Sequence, residues 1–446
     1  MPINTTHAGY KLATKKAARV RDFAAGEFVV KAEGDLYLPM LGGQTKKEYE
    51  NYKERGYIVP AVEPTAIAMS GAITRKPPTI ETSLDHVHKN INGNNEGIDL
   101  FVEKIIRELL YAGPSGYLIE WVDDSAIPVV KQYAVENIIN FSFDAGDDYI
   151  VLSQEYTTQN PNDKFEQLIN TEYLELTYDE DGRYIQNIWR KKKRGWAISD
   201  TIVPDKRGEA IMQIPFVFCS TANGDPILLH LANVNLDQYR LSTDERHGLH
   251  WTALPTLFLF GDLKDENGKK KQIKVGAGSS NHIDDTEARV ELLEFTGAGL
   301  SAIDTAIKGD IDTMASIGAK MLTDESSGVK AAETARIDAS SETATLTTIA
   351  NIVDQCVNDI FAIMAEWSGI EGEHTYAINR DFIDIKLDPN ALMALLRTMQ
   401  GGGMSLDTFL FNLKRGELLP KDITPEDEAE RIESGGNDFD MDMPNA

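Results

Sequence analysis

Apolar residues recur at every third or fourth position along four stretches of the chain, a spacing that predicts helices with one buried face. The first helix is predicted over residues 98–110, and a Gly-Pro pair ends it. The second is predicted over residues 225–250, where Asp225 is the candidate N-cap and Pro226 the first helical residue. Its apolar stripe becomes polar toward the C-terminal end, so we expect that end to lie toward a surface built for partners.

The third and fourth helices are predicted from more regular patterns. The third covers residues 299–322, and its apolar seam is continuous, so we expect it to be better packed than the second helix. The fourth runs from about Lys330 to Trp367, about 55 Å at 1.5 Å per residue. A helix of this length is well beyond the average and indicates an elongated architecture. The seam of the third helix consists of Leu300, Ile303, Ile307, Ile311, Met314, Ile317 and Met321.

Strand candidates fall into two groups, one on each side of the second helix. A hairpin turn at residues 179–182 lies in the first group, and the group predicts an α+β domain with an antiparallel sheet. Its strands are expected at residues 117–122, 138–143, 149–156, 173–177 and 184–190. The second group lies between the second and third helices, and Asn267-Gly268 is a strong hairpin signal there. Its strands are expected at residues 256–260, 271–275 and 290–295.

The C-terminal part of the chain predicts small elements. A strand is expected at residues 381–387, followed by a helix that Asp388 and a proline introduce. Three glycines at 401–403 end this helix, and Ser405 is the candidate cap of another short one. The sequence from residue 426 onward is acidic, and we expect disorder from Gly435 onward.

The net charge restricts the kinds of partner. The chain has 71 acidic and 44 basic residues, a formal net charge of −27. This balance opposes a static, high-affinity grip on DNA, because phosphate binding requires clustered Lys and Arg. It is compatible with a protein that DNA slides past, where adhesion would be a handicap. Since no apolar stretch approaches the roughly 20 residues of a membrane span, we expect no membrane partner.

Three basic clusters stand out against this acidic background. Five basic residues at positions 11–21 fall on a predicted short helix, where a solvated helix face is the ordinary interpretation. The run at residues 190–194 ends a predicted strand. For this run and the third cluster, protection of a strand edge and contact with an acidic partner or passing phosphates remain open. The third cluster decorates the second group of strands and comprises Lys264, Lys269, Lys270, Lys271 and Lys274.

The sequence shows no recognisable catalytic residues, metal site or cofactor site. The histidine pairs 86/88 and 247/250 lack a third ligand at metal spacing. Cys219 and Cys356 sit among apolar neighbours and are expected to be buried, reduced thiols. The glycine-rich residues 276–280 lack the lysine of a phosphate-binding loop. We therefore expect that the chain is not an enzyme.

The amino-acid sequence of the helical region resembles that of a phage portal family long described as a domain of unknown function. Residues 225–240 and 253–257 resemble its first stem helix and the segment that follows. Residues 317–322 and 331–335 resemble its second stem helix and its long wing-to-tunnel helix, and residues 101–121 resemble the portal wing. The resemblance covers roughly residues 50–430 and is most specific in the stem.

This resemblance implies a portal-like α+β fold with named parts. An α/β wing, a two-helix stem, a strand-containing clip, a long wing and tunnel helix, and a small helical crown are expected. Their bounds are 1–224 for the N-terminal wing, 225–250 for the first stem helix, 251–297 for the clip, 299–322 for the second stem helix, 323–387 for the tunnel loop, long helix and wing strand, and 388–446 for the crown and acidic tail. The lysines of the third cluster would be clip contacts for the motor or adaptor. The candidate tunnel-loop residues are Thr323, Asp324, Glu325, Ser326, Ser327, Gly328 and Lys330.

The resemblance also implies partners and a location. The chain would form a homo-oligomeric ring, typically a dodecamer, at one capsid vertex of the virion, after assembly in the host cytoplasm. It would dock the terminase large subunit and then the head-tail adaptor, contact the major capsid and scaffold proteins, and conduct double-stranded DNA without sequence specificity. The alternatives are another virion component, such as a collar or adaptor, and an enzyme with no recognisable motif.

Overall fold

The computed structural model describes residues 2–121, 127–143, 148–253, 256–260, 289–293, 299–319, 332–382, 389–415, 418–419 and 424–435. These residues form two compact units. Residues 1–71 and 78–378 make up the first unit, and residues 72–77 and 379–446 make up the second. The mixture of helices and antiparallel sheets confirms the predicted α+β class. Within the described part of the chain, no helix combines the length and apolar character needed to cross a membrane.

Each of the four predicted periodic stretches contains a helix, and further helices lie elsewhere in the described residues. In chain order they are α1 (Tyr10–Ala25), α2 (Glu27–Ala32), α3 (Lys46–Arg55), α4 (Val62–Ile73), α5 (Val87–Asn90), α6 (Ile98–Tyr111), α7 (Leu229–Ala253), α8 (Leu300–Met314), α9 (Ala332–Ser368), α10 (Pro389–Gln400), α11 (Leu406–Arg415) and α12 (Pro425–Gly435). The predicted first, second and fourth helices correspond to α6, α7 and α9, and the third corresponds to α8 with a different C-terminal end.

In the described part of the chain, the strands form five small antiparallel sheets. In chain order they are β1 (Thr79–Glu81), β2 (Ser115–Trp121), β3 (Pro128–Ala134), β4 (Ile138–Ser142), β5 (Tyr149–Asn160), β6 (Asp163–Tyr178), β7 (Tyr184–Lys192), β8 (Gly195–Ile202), β9 (Asp205–Lys206), β10 (Glu209–Ala210), β11 (Phe216–Cys219), β12 (Thr256–Phe260), β13 (Arg289–Leu293) and β14 (Thr375–Ala377). The largest sheet is a five-stranded meander, β4-β5-β6-β7-β8, and a three-stranded sheet has the order β11-β2-β3. The remaining pairs are β1-β14, β9-β10 and β12-β13.

The main core lies where α6 and α9 pack beside the three-stranded sheet. All seven apolar positions that predicted α6 are buried. The second half of α9 is equally well predicted, since each of its apolar positions is buried: Leu346, Ile349, Val353, Val357, Ile360, Met364 and Trp367. Burial of a Leu, Ile or Val side chain contributes roughly 1.5–3 kcal/mol each, so this packing is the principal source of stability in the first unit.

Several strands were missed by the sequence interpretation because they lack a clear alternation. Strand β3 is buried at its start and exposed at Lys131, and β8 has no buried residue. Strand β11 has four residues and joins the sheet by pairing with the first four residues of β2. These strands are specified by their tertiary partners rather than by their own pattern. The strand expected at residues 381–387 falls mostly outside the described residues, and Asp381 and Phe382 are not in a strand.

The basic face of α1 was expected to be solvated, and this expectation was wrong for three of its residues. Lys16 forms an ion pair with Asp225, and Arg19 donates to Asn233 Oδ1 at 2.6 Å. Arg21 bonds Glu108 at 2.7 Å and also Glu136, at 3.1 Å. Helix α1 therefore uses its positive charges to attach to α6 and to the start of α7, because charge-assisted hydrogen bonds are the stronger kind.

The second unit contains the three C-terminal helices. Helix α11 begins after Ser405, whose Oγ accepts from the Thr408 amide at 3.2 Å, which confirms the predicted cap. Helix α12 was not predicted, although its cap is visible in the sequence. Thr424 Oγ1 accepts from the Asp427 amide and Asp427 Oδ2 accepts from the Thr424 amide, both at 3.0 Å. The expected disorder beyond Gly435 concerns residues outside the described part of the chain.

Glu120 provides a test of the three-stranded sheet. It lies on β2 opposite Val129, and burial raises the pKa of its carboxyl above the ordinary value of 4.5, against the smaller opposing effect of Lys131. Because the folded state holds this proton more tightly than the unfolded chain, the carboxyl favours folding at low pH, and this contribution is lost as the pH rises above 4.5.

We expect Glu120→Gln to raise the melting temperature at pH 8 more than at pH 4. Thermal unfolding followed by circular dichroism at both values measures this. Glu155→Gln, at an exposed position, is the matched control, and equal effects at the two pH values would contradict the assignment.

Candidate functional site: the helix pair and its strand insert

Helix α7 carries a row of polar side chains that are fully buried. Asn235 Nδ2 donates to the Val59 carbonyl at 3.0 Å, and Gln238 Oε1 accepts from the Val59 amide at 3.0 Å. Ser242 Oγ accepts from the Tyr57 amide at 3.1 Å and donates to the Tyr57 carbonyl at 2.7 Å. The side chains of α7 therefore bind the extended backbone of residues 57–59 in the way that a neighbouring strand would. Buried amides and carbonyls without partners would be costly, so this contact fixes the register of the segment on the helix.

A glycine allows this close approach. A Cβ atom added at Gly56 would lie 2.1 Å from Thr243 Oγ1 and 2.9 Å from the Tyr239 ring. Thr243 is itself fully buried, and its hydroxyl donates to the Tyr239 carbonyl at 2.8 Å. The threonine that the sequence interpretation assigned to a partner-facing end is thus part of the core. A hydroxyl residue within an apolar stripe does not indicate, from the sequence, whether the position is solvated or is buried with its hydroxyl hydrogen-bonded.

The next turn of α7 is attached to α3. Tyr52 donates its hydroxyl hydrogen to Asp244, and this bond together with burial raises the pKa of the tyrosine. Arg55 contacts His247 Nδ1 at 3.0 Å, and the Tyr52 ring packs edge-on against the imidazole. Burial first, and the Arg55 charge second, lower the pKa of His247. His247 is therefore neutral near pH 7 and serves to hold α3 against α7.

Helices α7 and α8 run antiparallel. A Cβ atom at Gly248, near the end of α7, would lie 2.7 Å from Leu300, the first residue of α8. Farther along, Asp237 of α7 is close enough to raise the pKa of Asp310, although burial is the larger cause. Strands β12 and β13 pair between the two helices in sequence, with Thr256 opposite Leu293. The predicted unit of two helices that flank a strand insert is confirmed.

The relative packing of the two helices is the reverse of the prediction. Helix α7 buries Leu231, Ala232, Leu236 and Tyr239 in addition to its polar row, because α1 and α3 cover it as well as α8. The buried residues of α8 are Ile307 and Met314. Leu300, Ile303, Ile311 and Ile317 of the apolar seam are half-covered, and Met321 lies outside the described residues. A continuous seam predicts which face of a helix turns inward. It does not predict how many neighbours cover that face.

The end of α8 also differs from the prediction of an unbroken helix to residue 322. The α-helix ends at Met314 and continues as a π-helical turn over Ala315–Ala319. Gly318 has φ +122°, a conformation that glycine adopts without the strain other residues incur. The apolar spacing was correct, but the glycine within it was overlooked as a breaking position.

The start of α7 also differs from the prediction. Asp225 was predicted to cap the helix, but its carboxylate pairs with Lys16 and the helix begins at Leu229. Pro226 precedes the helix and does not occupy its first turn as proposed, although its carbonyl accepts from the Leu229 amide at 3.1 Å. The acidic residue is used to attach α1 rather than to satisfy the first amides of α7.

The candidate contact residues of the insert and of the tunnel loop lie outside the described residues. This applies to the five clip lysines, to the Asn267-Gly268 turn with the strand expected at 271–275, and to the tunnel-loop residues 323–330. Their positions remain predictions. The described elements that flank the undescribed part of the insert are β12 and β13. Those that flank the tunnel loop are the end of α8 and the start of α9.

The basic run at residues 190–194 lies at the turn between β7 and β8. Arg190 pairs with the buried carboxylate of Glu172 at 2.7 Å and lies over the Tyr156 ring. Lys192 donates to the Ile198 carbonyl at 3.1 Å across the hairpin. Strand β8 is an edge strand of its sheet, so the basic residues at this turn are consistent with protection of that edge. Arg190 itself lies on β7, which is internal to the sheet.

The residues considered for metal or nucleophilic chemistry have structural partners. His86 Nε2 lies 3.1 Å from the Pro128 carbonyl. Cys219 and Cys356 are buried without a disulfide, as predicted, and a hydrogen bond to Cys219 together with burial raises the pKa of the Cys356 thiol. In the part of the chain that the structure describes, no group of three or more His, Cys, Asp or Glu side chains is placed to hold a metal ion.

A family model matches this region of the chain. The family is described as a domain of unknown function, DUF4055, and the match covers residues 227–368. The matched segment runs from just before α7 to the last residue of α9, and so contains the helix pair, the insert and the long helix. A comparison with curated protein sequences finds no match.

The chain is also similar to several solved structures. One is the neck of an empty gene transfer agent particle computed with C6 symmetry, at 10% identity and a TM-score of 0.40, covering 89% of this chain and 95% of that chain. A second is the virion of a native gene transfer agent particle, at 12% identity and a TM-score of 0.41, covering 88% and 99%. A third is an HK97 family phage portal protein from Corynebacterium diphtheriae, at 10% identity and a TM-score of 0.33, covering 72% and 92%.

The close approach at Gly56 gives a test of this site. We expect Gly56→Ala to reduce the free energy of unfolding by about 1–3 kcal/mol, because the added methyl group collides with the Thr243 hydroxyl and the Tyr239 ring. Urea unfolding followed by circular dichroism measures the loss. Gly42→Ala is the control, since a methyl group there meets open space, and its effect should be within about 0.5 kcal/mol. Adding Thr243→Ala should recover part of the Gly56→Ala loss through coupling of the two positions. Equal losses at Gly56 and Gly42 would refute the argument.

Proposed function

We propose that this chain is the subunit of a phage portal ring at one capsid vertex, where it conducts double-stranded DNA during packaging and ejection. The observation that carries the proposal is the antiparallel pair of α7 and α8 with a strand insert at their shared end, followed by the 37-residue helix α9. In this proposal the helix pair is the stem of the portal, the insert is its clip, and the long helix connects tunnel and wing.

The uncovered face of α8 supports assembly into a ring. Ala302, Ala306, Gly309 and Thr313 lie on this helix at spacings of three and four, and all are exposed. Small side chains allow a neighbouring helix to approach closely. Helix α7 is already covered by α1 and α3, so in this proposal α8 provides the stem surface that the next subunit packs against.

The charge of the chain supports passage of DNA without adhesion. With −27 per subunit, a ring of twelve would carry −27 × 12, or about −324. Such a ring repels phosphates at long range and holds few counterion-releasing contacts, so DNA would slide rather than bind. In this proposal the tunnel-loop residues 323–330 approach the DNA, and Lys330 is the positive charge among them.

The lysines of the insert support docking of an acidic partner surface. Lys264, Lys269, Lys270, Lys271 and Lys274 concentrate positive charge in a segment of an otherwise acidic chain. Complementary charge accelerates encounter and selects the correct partner more than it adds affinity. We assign this surface to the terminase large subunit during packaging and to the head-tail adaptor afterwards. The major capsid and scaffold proteins would contact the ring elsewhere in the assembling virion.

The ring itself is the first test. We expect native mass spectrometry of the purified chain to show one closed oligomer, and negative-stain images to show rings with a central hole. The ring should persist at moderate salt, because burial of apolar surface holds it together and is not screened. A monomer at all concentrations and salt conditions would refute the portal assignment.

The second test concerns the clip lysines. We expect Lys269→Glu, Lys270→Glu and Lys271→Glu together to reduce terminase or adaptor binding at least about tenfold, because the charge of the docking surface is inverted. Ring formation should be unchanged. The matched control inverts Lys191, Lys192 and Lys193 at the β7–β8 turn, which alters net charge equally at a different place. Binding that is equal in the two triple variants would overturn the clip assignment and leave the ring unaffected.

A further inference from the structure

A hydrogen bond joins Arg55, the last residue of α3, to His247 of α7. Arg55 Nη1 lies 3.0 Å from His247 Nδ1. A guanidinium carries N–H donors and no acceptor, so Nδ1 of the histidine must accept in this bond. The imidazole is therefore neutral, with its hydrogen on Nε2, and the bond exists in that protonation state alone.

Protonation of His247 reverses this contact. Nδ1 of an imidazolium carries a hydrogen, so it would face the N–H groups of Arg55 as a second donor. Two positive charges would also lie within hydrogen-bonding distance of each other, where like charges repel. The imidazole is half-buried, so a proton from the solvent can reach it. A single proton thus converts an attachment between α3 and α7 into a repulsion.

The second bond between the two helices responds to the same proton. The Tyr52 hydroxyl of α3 donates to Asp244, an exposed residue three positions before His247 on α7. Residues three apart on a helix are neighbours, and the Asp244 carboxylate already acts to raise the pKa of His247, against the larger effect of burial. An imidazolium would compete with the Tyr52 hydroxyl for this carboxylate. Protonation therefore weakens both bonds between α3 and this turn of α7.

The groups that face the imidazole are Arg55 and Tyr52 of α3, and Asp244 and His250 of α7. Burial is the largest cause that lowers the pKa of His247, the Arg55 charge is the second and His250 is the third, whereas Asp244 raises it. The packed helices therefore bind this proton more weakly than the separated helices do. The contact is fully present above the ordinary pKa of 6.5, and it weakens as the pH falls below that value.

The other charged residues of this turn act on groups other than the imidazole. These pairs are Arg246 over the Tyr57 ring at 5.2 Å, and Glu245 beside Lys308 of α8. Helix α8 meets this part of α7 at Gly248, through the apolar side chain of Leu300. The charge that acts on His247 from a neighbouring helix is therefore that of Arg55.

Bonds that do not titrate near neutral pH restrict the movement to α3. Lys31 of α2 donates to the Glu54 carbonyl at 3.0 Å, and Tyr49 donates to the Leu38 carbonyl at 2.8 Å. Residues 57–59, just beyond α3, are held by amide and hydroxyl side chains of α7. Lysine and tyrosine keep their protons in the range where histidine titrates. Helix α3 can thus separate from His247 while it remains attached to the rest of the first unit.

We propose that His247 makes the attachment of α3 to α7 sensitive to acid: its protonation releases Arg55 and Tyr52 from α7 while the rest of the first unit stays folded. Every group in this argument belongs to one chain, so the inference goes beyond the proposed function and does not depend on a ring. In the proposed portal, the release would uncover α7 close to the insert, since His247 lies less than two turns before the end of that helix.

Amide hydrogen exchange of the full-length chain, followed by mass spectrometry, tests the proposal. After correction for the intrinsic pH dependence of exchange, we expect the α3 amides to exchange about fivefold faster at pH 5.5 than at pH 7.5. The reason is that a histidine with the ordinary pKa passes from about one tenth to about nine tenths protonated over this range. The amides of α6 are the internal control and should not change. Exchange of α3 that is the same at both pH values would overturn the proposal.

Two variants assign the effect to this pair of residues. In Arg55→Gln the amide can donate to a neutral imidazole or accept from an imidazolium, and in His247→Gln the amide oxygen accepts from Arg55 at every pH. Each should reduce the pH effect on α3 exchange to less than about twofold. His88→Gln, which replaces an exposed histidine elsewhere, should leave the full effect.

Far-ultraviolet circular dichroism at pH 7.5 verifies that each variant is folded, and the pH series of the unaltered chain decides the matter without them. A fivefold effect that persists in both Arg55→Gln and His247→Gln would show that another group titrates and would overturn this inference. The presence or absence of rings tests the portal proposal alone, because the exchange of α3 reports a contact within one chain.

Discussion

The hydrogen bonds between the polar row of α7 and the backbone of residues 57–59 hold the rest of the first unit in register. Residues 57–59 connect α3 to α4, and their amides and carbonyls would be buried without partners if Asn235, Gln238 and Ser242 were replaced by apolar residues. Each such unsatisfied group costs about 1–3 kcal/mol. The polar side chains therefore specify where the N-terminal segments attach. Once these are attached, α7 is covered on several sides and α8 packs against the part that remains.

This arrangement makes α7 the fixed member of the helix pair and α8 the member with a free surface. The difference follows from coverage within the chain, since α1 and α3 approach α7 and use charged side chains to do so. Lys16 pairs with Asp225, which precedes α7, and Arg21 pairs with Glu108 on α6. Tyr52 of α3 bonds Asp244 in the C-terminal half of α7. An acidic chain thereby uses part of its positive charge internally. Its surface keeps an acidic excess, as the proposed passage of DNA without adhesion would require.

The sequence predicted the elements whose stability comes from a single apolar face. Helix α6, the second half of α9 and the buried parts of strands β4 to β7 were predicted correctly, because periodic burial is the physical signal in both sequence and structure. The polar end of α7 was misinterpreted, because a buried hydroxyl at Thr243 that bonds a backbone carbonyl resembles a solvated one in sequence. Strands β3, β8 and β11 depend on partners distant in the chain. The candidate lysines and tunnel-loop residues carry a compositional signal, but their geometry depends on contacts that a sequence pattern does not encode.

Assembly of such a chain is a problem of bringing together surfaces that do not repel. Apolar burial is the contribution that salt does not screen, whereas charge acts against association of identical acidic subunits. On the described residues, the small side chains of α8 provide one exposed surface without charge: Ala302, Ala306, Gly309 and Thr313. The acidic charge thus restricts which surfaces of neighbouring chains can meet.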